Sequence, residues 1–234
     1  MCTRFVYRGN STITGFNLDI DLAVWNHQLL MDREHFAIGI LRPDGQRHTY
    51  HGVHRNGNVG TLLYVHGAPA GAFRNAPDCL SIAELTEQFV QARLSLDEVL
   101  HILQHKAITY APDATMQAML SDRQGRTLVI EPGIGHRLDT TGRYSLITNY
   151  SLLAPESTQP FIVPGDDRYE RANAQLAAAS ESFSVTDGFA LLHAVRQEEP
   201  WATRVSFVYA ASENAVYYVQ NNHFDNIQCH RFSK

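Results

Sequence analysis

The 234-residue chain has few cysteines, no cluster of basic residues and no long apolar run. Its three cysteines, Cys2, Cys79 and Cys229, are an odd number spread far apart, which argues against a disulfide framework and indicates a reducing compartment. A net charge of −5 without a Lys/Arg run makes nucleic acid an unsuitable partner. No stretch is long enough to span a membrane, and Arg4 and Arg8 interrupt the only apolar N-terminal stretch, so no signal peptide is expected. The composition therefore predicts a soluble cytoplasmic protein.

Linkers, repeats and low-complexity segments are absent as well. A hydrophobic content of 44% with 18% charged residues is ordinary for a globular protein, and 234 residues are enough for a substantial core. We therefore expect one catalytic domain over residues 1–234.

The sequence also lacks a convincing metal site. The triplet His48-x-x-His51-x-x-His54 would alternate between the two faces of a strand, and no Cys or carboxylate completes a tetrahedral set. Asp19 and Asp21 lack the twelve-residue, Gly-containing loop of a calcium hand. No metal and no cofactor are expected.

Hydrophobic periodicity and turn residues predict strands near both ends of the chain with helices between them. Two of the helices open on capping boxes, Ser81 with Glu84 and Ser95 with Glu98. This order predicts an α+β layered fold, in which the sheets are sandwiched by helix pairs. The predicted strands cover residues 3–7, 12–16, 36–41, 47–51, 58–65, 115–122, 126–131, 145–148, 205–210 and 215–220, and the helices 81–93, 95–106, 167–180 and 185–195.

Cys2 is the most informative residue. Met1 is removed in the cell when the second residue is small, and Cys2 then carries a thiol and an α-amine together. Their reference pKa values are about 8.5 and about 7.7–8.0, so the neutral amine can take the thiol proton near physiological pH. An activated nucleophile needs a base within hydrogen-bond reach, and an N-terminal cysteine carries its own.

Three further polar residues fit around such a nucleophile. A hairpin brings Asp19 back beside the N-terminus, where a carboxylate could hold the amine or the thiol. Asn149 follows a strand, and its amide could donate to a developing oxyanion. Arg168 lies at a helix start, an unfavourable place for a cation, and a guanidinium near the thiol would favour a thiolate. Taken singly, Asp19 is also typical of a turn, and Asn149 of a strand end.

Together these segments resemble the choloylglycine hydrolase and penicillin V acylase family of N-terminal-nucleophile amidases. The resemblance spans nearly the whole chain in the family's order. It rests on Met-Cys-Thr at 1–3, Gly-Phe-Asn-Leu-Asp at 15–19, Thr-Asn-Tyr at 148–150, Pro-Gly-Asp-Asp-Arg-Tyr at 164–169 and the closing hairpin from Thr203 to Tyr218. It implies the family's four-layer αββα sandwich.

The resemblance also implies roles for individual residues. Cys2 would be the nucleophile with its amine as base, positioned by Asp19, while Asn149 would donate to the oxyanion. Arg168 matches the family's active-site arginine, and Tyr64 falls where a second oxyanion contact is made, which a backbone N–H could provide. The implied reaction is hydrolysis of a linear amide in an N-acyl compound through an S-acyl enzyme. Candidate substrates are penicillin V, acyl-homoserine lactones, bile salts and fatty amides.

Two departures from the family pattern bear on partners and substrate. Most members carry Arg where this chain has Phe16, and Arg4, on the same strand face as Cys2, is our candidate for the missing cation. The short span from Asn149 to Arg168 lacks the excursion that helps to build the family's tetramer. We therefore expect a monomer or homodimer and a smaller acyl amide as substrate.

Alternatives to an amidase remain open on the sequence. One is a related acyltransferase, which would pass the acyl group to another amine, and another is a non-catalytic binding module on the same scaffold. A class II glutamine amidotransferase also begins Met-Cys, but the arginine-rich loop and Gly-His-Asn segment that it needs are not found. Trp25, Trp201 and the tyrosine-rich stretch 207–218 are predicted to form core, with some of them lining an apolar pocket.

Overall fold

The computed structural model describes residues 2–233, and within that range the chain forms two large antiparallel sheets and one small parallel pair. The first sheet has six strands, in the spatial order β12 (Tyr144–Ile147), β1 (Cys2–Arg8), β2 (Thr12–Asp19), β13 (Thr203–Ala210), β14 (Ala215–Gln220) and β15 (Gln228–Arg231). The second has seven, in the order β11 (Gly135–Asp139), β10 (Thr127–Glu131), β9 (Met116–Ser121), β6 (Val59–Tyr64), β5 (Arg47–His54), β4 (His35–Leu41) and β3 (Asn26–Met31). The small pair joins β7 (Cys79–Ser81) to β8 (Ala107–Thr109).

Helices cover the outer faces of both sheets. On the seven-stranded sheet, α1 (Ile82–Val90) packs on β5, β6 and β9 and contacts α2 (Leu96–His105). On the six-stranded sheet, α4 (Arg168–Ala178) packs on β1 and β12, and α5 (Val185–Ala194) packs on β2 and β13. Between β12 and α4 lie a short helix α3 (Pro155–Thr158) and a 3-10 turn at Gln159–Phe161, and another 3-10 turn spans Pro69–Gly71. The layers run α, β, β, α, which confirms the expected fold.

Helix capping follows the sequence prediction in one case and departs from it in another. Ser95 and Glu98 form the reciprocal capping box expected at α2. At α1 the expected box is wrong, because the Ser81 hydroxyl accepts from the backbone of Ala83 while Glu84 accepts from the Gln88 side chain. The i,i+4 partner on the helix surface therefore competes successfully for the Glu84 carboxylate.

The strand β1 separates two apolar cores because its side chains alternate between its faces. Val6 belongs to the core between the sheets, where Phe36 packs edge-on against Phe207. Phe5 and Tyr7 point the other way, into the core beneath α4 and α5. Cys2 shares the inward face of Val6, so its thiol is directed toward the second sheet.

Three strands that the sequence pattern missed lie at sheet edges. β3, β11 and β15 have mostly exposed or half-buried side chains, so burial imposes no apolar alternation on them. Within residues 2–233 no helix combines the length and the apolar character that crossing a bilayer requires.

Gly15 gives a direct test of the core beneath α4 and α5. It pairs with Phe5 across the β1–β2 hairpin, and a Cβ added to it would lie 2.2 Å from the Phe5 ring. We expect Gly15→Ala to lower the free energy of unfolding by about 1–3 kcal/mol, because the ring must move within a packed core. Urea unfolding followed by circular dichroism measures this. Asn10→Ala, at the exposed tip of the same hairpin, is the control, and equal stability of the two variants would contradict the packing described.

Candidate active site

The predicted residues come together at one end of the sheet-to-sheet interface. Cys2 begins β1 and pairs with Leu18 of β2, which places Asp19, the last residue of β2, beside it. Asn149 lies two residues beyond the end of β12, the other neighbour of β1. Arg168 is the first residue of α4 and is only 1% exposed.

Arg168 forms the centre of a buried polar network. Its Nη1 donates to the Cys2 carbonyl oxygen at 3.0 Å and lies 3.5 Å from Asp19 Oδ2. Both terminal nitrogens lie 3.3 Å from Asn149 Oδ1. Nε and Nη2 donate to the two oxygens of Asp166 at 2.8 and 2.7 Å, a bidentate pair that fixes the guanidinium plane. The helix start carries this cation because two carboxylates face it.

Asn149 connects the two sheets. Its Oδ1 accepts from the backbone nitrogen of Cys2 at 2.5 Å, and its Nδ2 donates to the carbonyl oxygen of Tyr64 at 2.7 Å. Cys2 belongs to the six-stranded sheet and Tyr64 to the seven-stranded one. One amide side chain thus holds a fixed spacing between the Cys2 nitrogen and the end of β6.

The backbone of Tyr64 is oriented by strand alternation. Val65 donates its N–H to Thr115 at 3.2 Å, on the β9 side of β6. Since successive residues of a strand point their backbone groups to opposite sides, the N–H of Tyr64 is directed away from β9, to the side where Asn149 reaches the Tyr64 carbonyl. The Tyr64 side chain is 50% exposed and lines the mouth of a cavity. The backbone N–H and Asn149 Nδ2 therefore lie on one side of β6.

Burial dominates the titration of the Cys2 thiol and the Asp19 carboxyl. Burial raises the pKa of the Cys2 thiol to about 11, the Asp19 carboxylate adds to this rise, and Arg168 and the Asp19 backbone N–H oppose it. Burial likewise raises the pKa of Asp19 to about 6, against the opposing effects of Arg168 and of the hydrogen bond from Thr203. For Asp166, burial alone would raise the pKa, but the hydrogen bonds and charge of Arg168, together with the hydrogen bond from Tyr150, outweigh burial and hold the pKa below its usual range.

Several supporting residues are not among the site residues predicted from the sequence. Thr203 Oγ1 donates to Asp19 Oδ1 at 2.6 Å, and Gln117 of β9 donates to the carbonyl oxygens of Thr148 and Tyr150 at 2.7 and 3.2 Å, on both sides of Asn149. The Tyr150 hydroxyl donates to Asp166 at 2.8 Å. Asp166 could have been noticed within the 164–169 segment, whereas Gln117 is an ordinary strand residue recognisable only from its contacts.

The expectation that Arg4 replaces the missing family cation is wrong. Arg4 shares the inward face with Cys2, but its guanidinium donates to the Phe5 carbonyl and to Ser121 Oγ of β9. The long Arg4 side chain extends across the core to the seven-stranded sheet and not along β1 toward Cys2. Burial lowers the pKa of Arg4 to about 9. At Phe16 the ring stacks on His51 with centroids 5.3 Å apart.

A cavity of about 420 Å³ opens beside the thiol. Its wall is mainly apolar but includes the ion pair of Arg42 with Asp113, in which Arg42 also donates to the Tyr50 hydroxyl at 3.1 Å. Trp201, predicted as core or pocket lining, is 40% exposed at the cavity mouth. The apolar lining includes Leu18, Ile20, Trp25, Ile40, Leu62 and Met116.

The histidine triplet of β5 is engaged by other groups. His48 contacts Glu87 and Asp44 at 3.0 Å each, and His54 lies 3.5 Å from Glu34. His51 accepts from the backbone N–H of Leu62 at 3.2 Å. Across residues 2–233 no group of three or more His, Cys, Asp or Glu side chains is arranged to hold a metal ion.

Comparison with solved structures shows that the fold of this chain is similar to the folds of three proteins of known structure. A penicillin V acylase from Agrobacterium tumefaciens matches with a TM-score of 0.64 at 17% identity, over 94% of this chain and 83% of that one. A conjugated bile acid hydrolase from Clostridium perfringens matches with a TM-score of 0.67 at 14% identity, over 98% and 92%. The N-acylethanolamine-hydrolyzing acid amidase ortholog of Caenorhabditis elegans matches with a TM-score of 0.59 at 14% identity, over 90% and 93%.

Sequence comparisons add nothing to this likeness. No family model matches the chain, and no curated protein sequence matches it either. The relation to these amidases therefore lies in the fold.

The environment of the thiol predicts an order of reactivity among the three cysteines. A pKa of about 11 leaves roughly one Cys2 thiol in a thousand ionised at pH 8, and the thiolate is the reactive form. In protein that retains Met1, we expect iodoacetamide to modify the exposed Cys229 and the half-buried Cys79 about 100-fold faster than Cys2. Timed alkylation with peptide mass mapping measures this, with Cys2→Ala as control. Equal rates at Cys2 and Cys229 would contradict the buried thiol described here.

Proposed function

We propose that the protein is an N-terminal cysteine amidase that hydrolyses the linear amide bond of an N-acyl compound. The observation that carries the proposal is the buried network beside the cavity, in which Asn149 joins the Cys2 nitrogen to Tyr64 while Arg168 contacts the Cys2 carbonyl oxygen and Asp19. The fold likeness to three amidases supports the same chemistry.

The first step depends on removal of Met1. The Cys2 nitrogen, which donates to Asn149 Oδ1 in the structure, then becomes an α-amine held by the same acceptor. As a neutral base it takes the proton of the adjacent thiol, directly or through a water. A nearby guanidinium favours the resulting thiolate, and ionised Asp19 balances the charges of Arg168 and the protonated amine.

The thiolate then attacks the carbonyl carbon of the amide, and the carbonyl oxygen acquires negative charge. Asn149 Nδ2 and the backbone N–H of Tyr64, which lie on one side of β6, are the donors proposed for this oxyanion. Collapse of the tetrahedral intermediate breaks the C–N bond. The protonated α-amine gives its proton to the departing amine, which leaves an S-acyl Cys2.

Hydrolysis of the S-acyl enzyme completes the cycle. The neutral α-amine takes a proton from a water, and the resulting hydroxide adds to the thioester carbonyl. The intermediate collapses to the carboxylic acid and the Cys2 thiolate, which recovers the proton from the amine. The acyl group would occupy the largely apolar cavity of about 420 Å³, whose size suits a short or medium acyl chain.

Cys2→Ala tests the proposal directly. We expect chromogenic N-acyl amides of graded chain length to be hydrolysed by the Met1-free protein and not measurably by Cys2→Ala, because the alanine offers no nucleophile. Adding hydroxylamine separates hydrolase from acyltransferase through the yield of hydroxamate. Hydroxamate as the main product would favour the acyltransferase. Retention of Met1 in native protein, seen by intact mass, would contradict the mechanism and favour the binding module.

Asn149→Ala tests the oxyanion contact. We expect kcat to fall about 10²- to 10³-fold, the range typical for loss of one oxyanion donor. Steady-state kinetics on the best amide of the panel measures this, with Asn10→Ala at an exposed turn as control. An Asn149→Ala enzyme with unchanged kcat and a native circular dichroism spectrum would remove Asn149 from the proposed role.

A further inference from the structure

Gln117 of β9 carries a buried amide that no step of the proposed hydrolysis uses. Its Nε2 donates to the carbonyl oxygens of Thr148 and Tyr150 at 2.7 and 3.2 Å. Both neighbours are acceptors, so the amide nitrogen must face them, and each of its two hydrogens serves one carbonyl. Within residues 2–233 its Oε1 has no hydrogen-bond partner, and an unpaired buried acceptor is destabilising. The side chain is therefore held by its donor end alone.

The two carbonyls lie on either side of Asn149. The pairing of β12 with β1 ends at Ile147, opposite Arg4, so Asn149 lies beyond the ladder that fixes the strand. The backbone between the two carbonyls can rotate only about the φ and ψ angles of Asn149 and Tyr150. One donor that holds both oxygens restricts these rotations. Gln117 thereby restricts the direction in which the Asn149 side chain leaves the backbone.

Gln117 also fixes Asn149 relative to the other proposed oxyanion donor, the N–H of Tyr64. Gln117 pairs with Leu63 of β6, and the next pair along the same two strands joins Met116 to Tyr64. The strand that holds the backbone around Asn149 is thus paired directly with the strand that carries the Tyr64 N–H. Asn149 Nδ2 closes this ring of contacts on the Tyr64 carbonyl oxygen at 2.7 Å. The position of Gln117 therefore affects the distance between the two donors.

We propose that Gln117 is a positioning residue, which holds Asn149 Nδ2 at the distance from the Tyr64 N–H that the oxyanion of the tetrahedral intermediate requires. This inference rests on the proposed amidase function and adds a residue that acts through Asn149 without contacting the substrate. Oxyanion donors act at about 2.7–3.1 Å from the developing charge. A misplacement of about 1 Å can lower a rate about 100-fold.

The kinetic test is a double-mutant cycle of Gln117 with Asn149. Gln117→Met keeps the size of the side chain and removes both N–H donors. In the Met1-free protein we expect kcat on the best amide of the panel to fall about 10- to 100-fold and KM to change less than about 2-fold, because the lost alignment matters in the transition state. In the Asn149→Ala background the same substitution should change kcat less than about 2-fold, because no amide remains to be positioned.

Asn58→Leu is the matched control. Asn58 is also buried, and its Nδ2 likewise donates to two carbonyl oxygens, those of Phe89 and Leu94 at 2.9 and 3.1 Å. Its substitution should lower stability to a similar degree, because two buried carbonyls again lose their donor, and leave kcat within about 2-fold.

A second variant covers failure of the first to fold. Gln117→Glu then takes the place of Gln117→Met in the cycle, since a protonated carboxyl has the size of the amide and donates to one carbonyl at most. An equal loss of kcat from the Gln117 substitution with and without the Asn149 amide would overturn the proposal.

Hydrogen exchange tests the inference without catalysis. The side-chain NH2 signals of Asn149 are identified in heteronuclear NMR spectra by their loss in Asn149→Ala. We expect the Gln117 variant to speed exchange of these hydrogens with solvent about 10-fold, because the bond to the Tyr64 carbonyl opens more often, and Asn58→Leu to leave the rate unchanged. If no amide is hydrolysed but exchange responds in this way, the positioning of Asn149 by Gln117 stands and the amidase proposal fails. Unchanged exchange in the Gln117 variant overturns the positioning role even if amides are hydrolysed.

Discussion

The guanidinium of Arg168 lies between the buried carboxylates of Asp19 and Asp166 and contacts both the Cys2 carbonyl and the Asn149 amide oxygen. A buried ion pair is costly to form, but removing one member leaves an uncompensated charge worth about 3–5 kcal/mol. The other groups of the site depend on this cation. Without Arg168, the buried carboxylates of Asp19 and Asp166 would have no cation between them. The Cys2 carbonyl and the Asn149 amide oxygen would also lose the guanidinium that donates to them from the start of α4.

Much of the fold could be predicted from the sequence because central strands and amphipathic helices carry the periodicity of their burial. The hairpin of Met116–Ser121 with Thr127–Glu131 and the box of Ser95 with Glu98 are examples. Edge strands such as Gln228–Arg231 were not predicted, because one side of their backbone has no neighbouring strand and their side chains remain largely exposed. A local rule also failed at Ser81, where a helical neighbour offered Glu84 another partner.

The candidate site could be predicted only as far as its residues lie in recognisable segments. The sequence predicts Cys2, Asp19, Asn149 and Arg168 in this way. The structure brings them into one network, and their catalytic roles stay predictions. Thr203 and Gln117 were missed because they act across 184 and 31 positions of the chain and look like ordinary strand residues. Arg4 was placed wrongly because strand alternation gives the face of a side chain but not the direction of a long, flexible one.

The amide of Asn149 bonds to the Cys2 nitrogen on one sheet and to the Tyr64 carbonyl oxygen on the other. The geometry of these two hydrogen bonds therefore depends on the distance between the two sheets. The bulk of side chains such as Phe36 and Phe207 in the shared core also sets that distance. Packed interiors transmit small changes of volume because they contain few voids. The distance between the sheets can therefore be changed by substitutions in the core. Core residues that do not contact the substrate thus help to set the alignment of the reacting groups in the site.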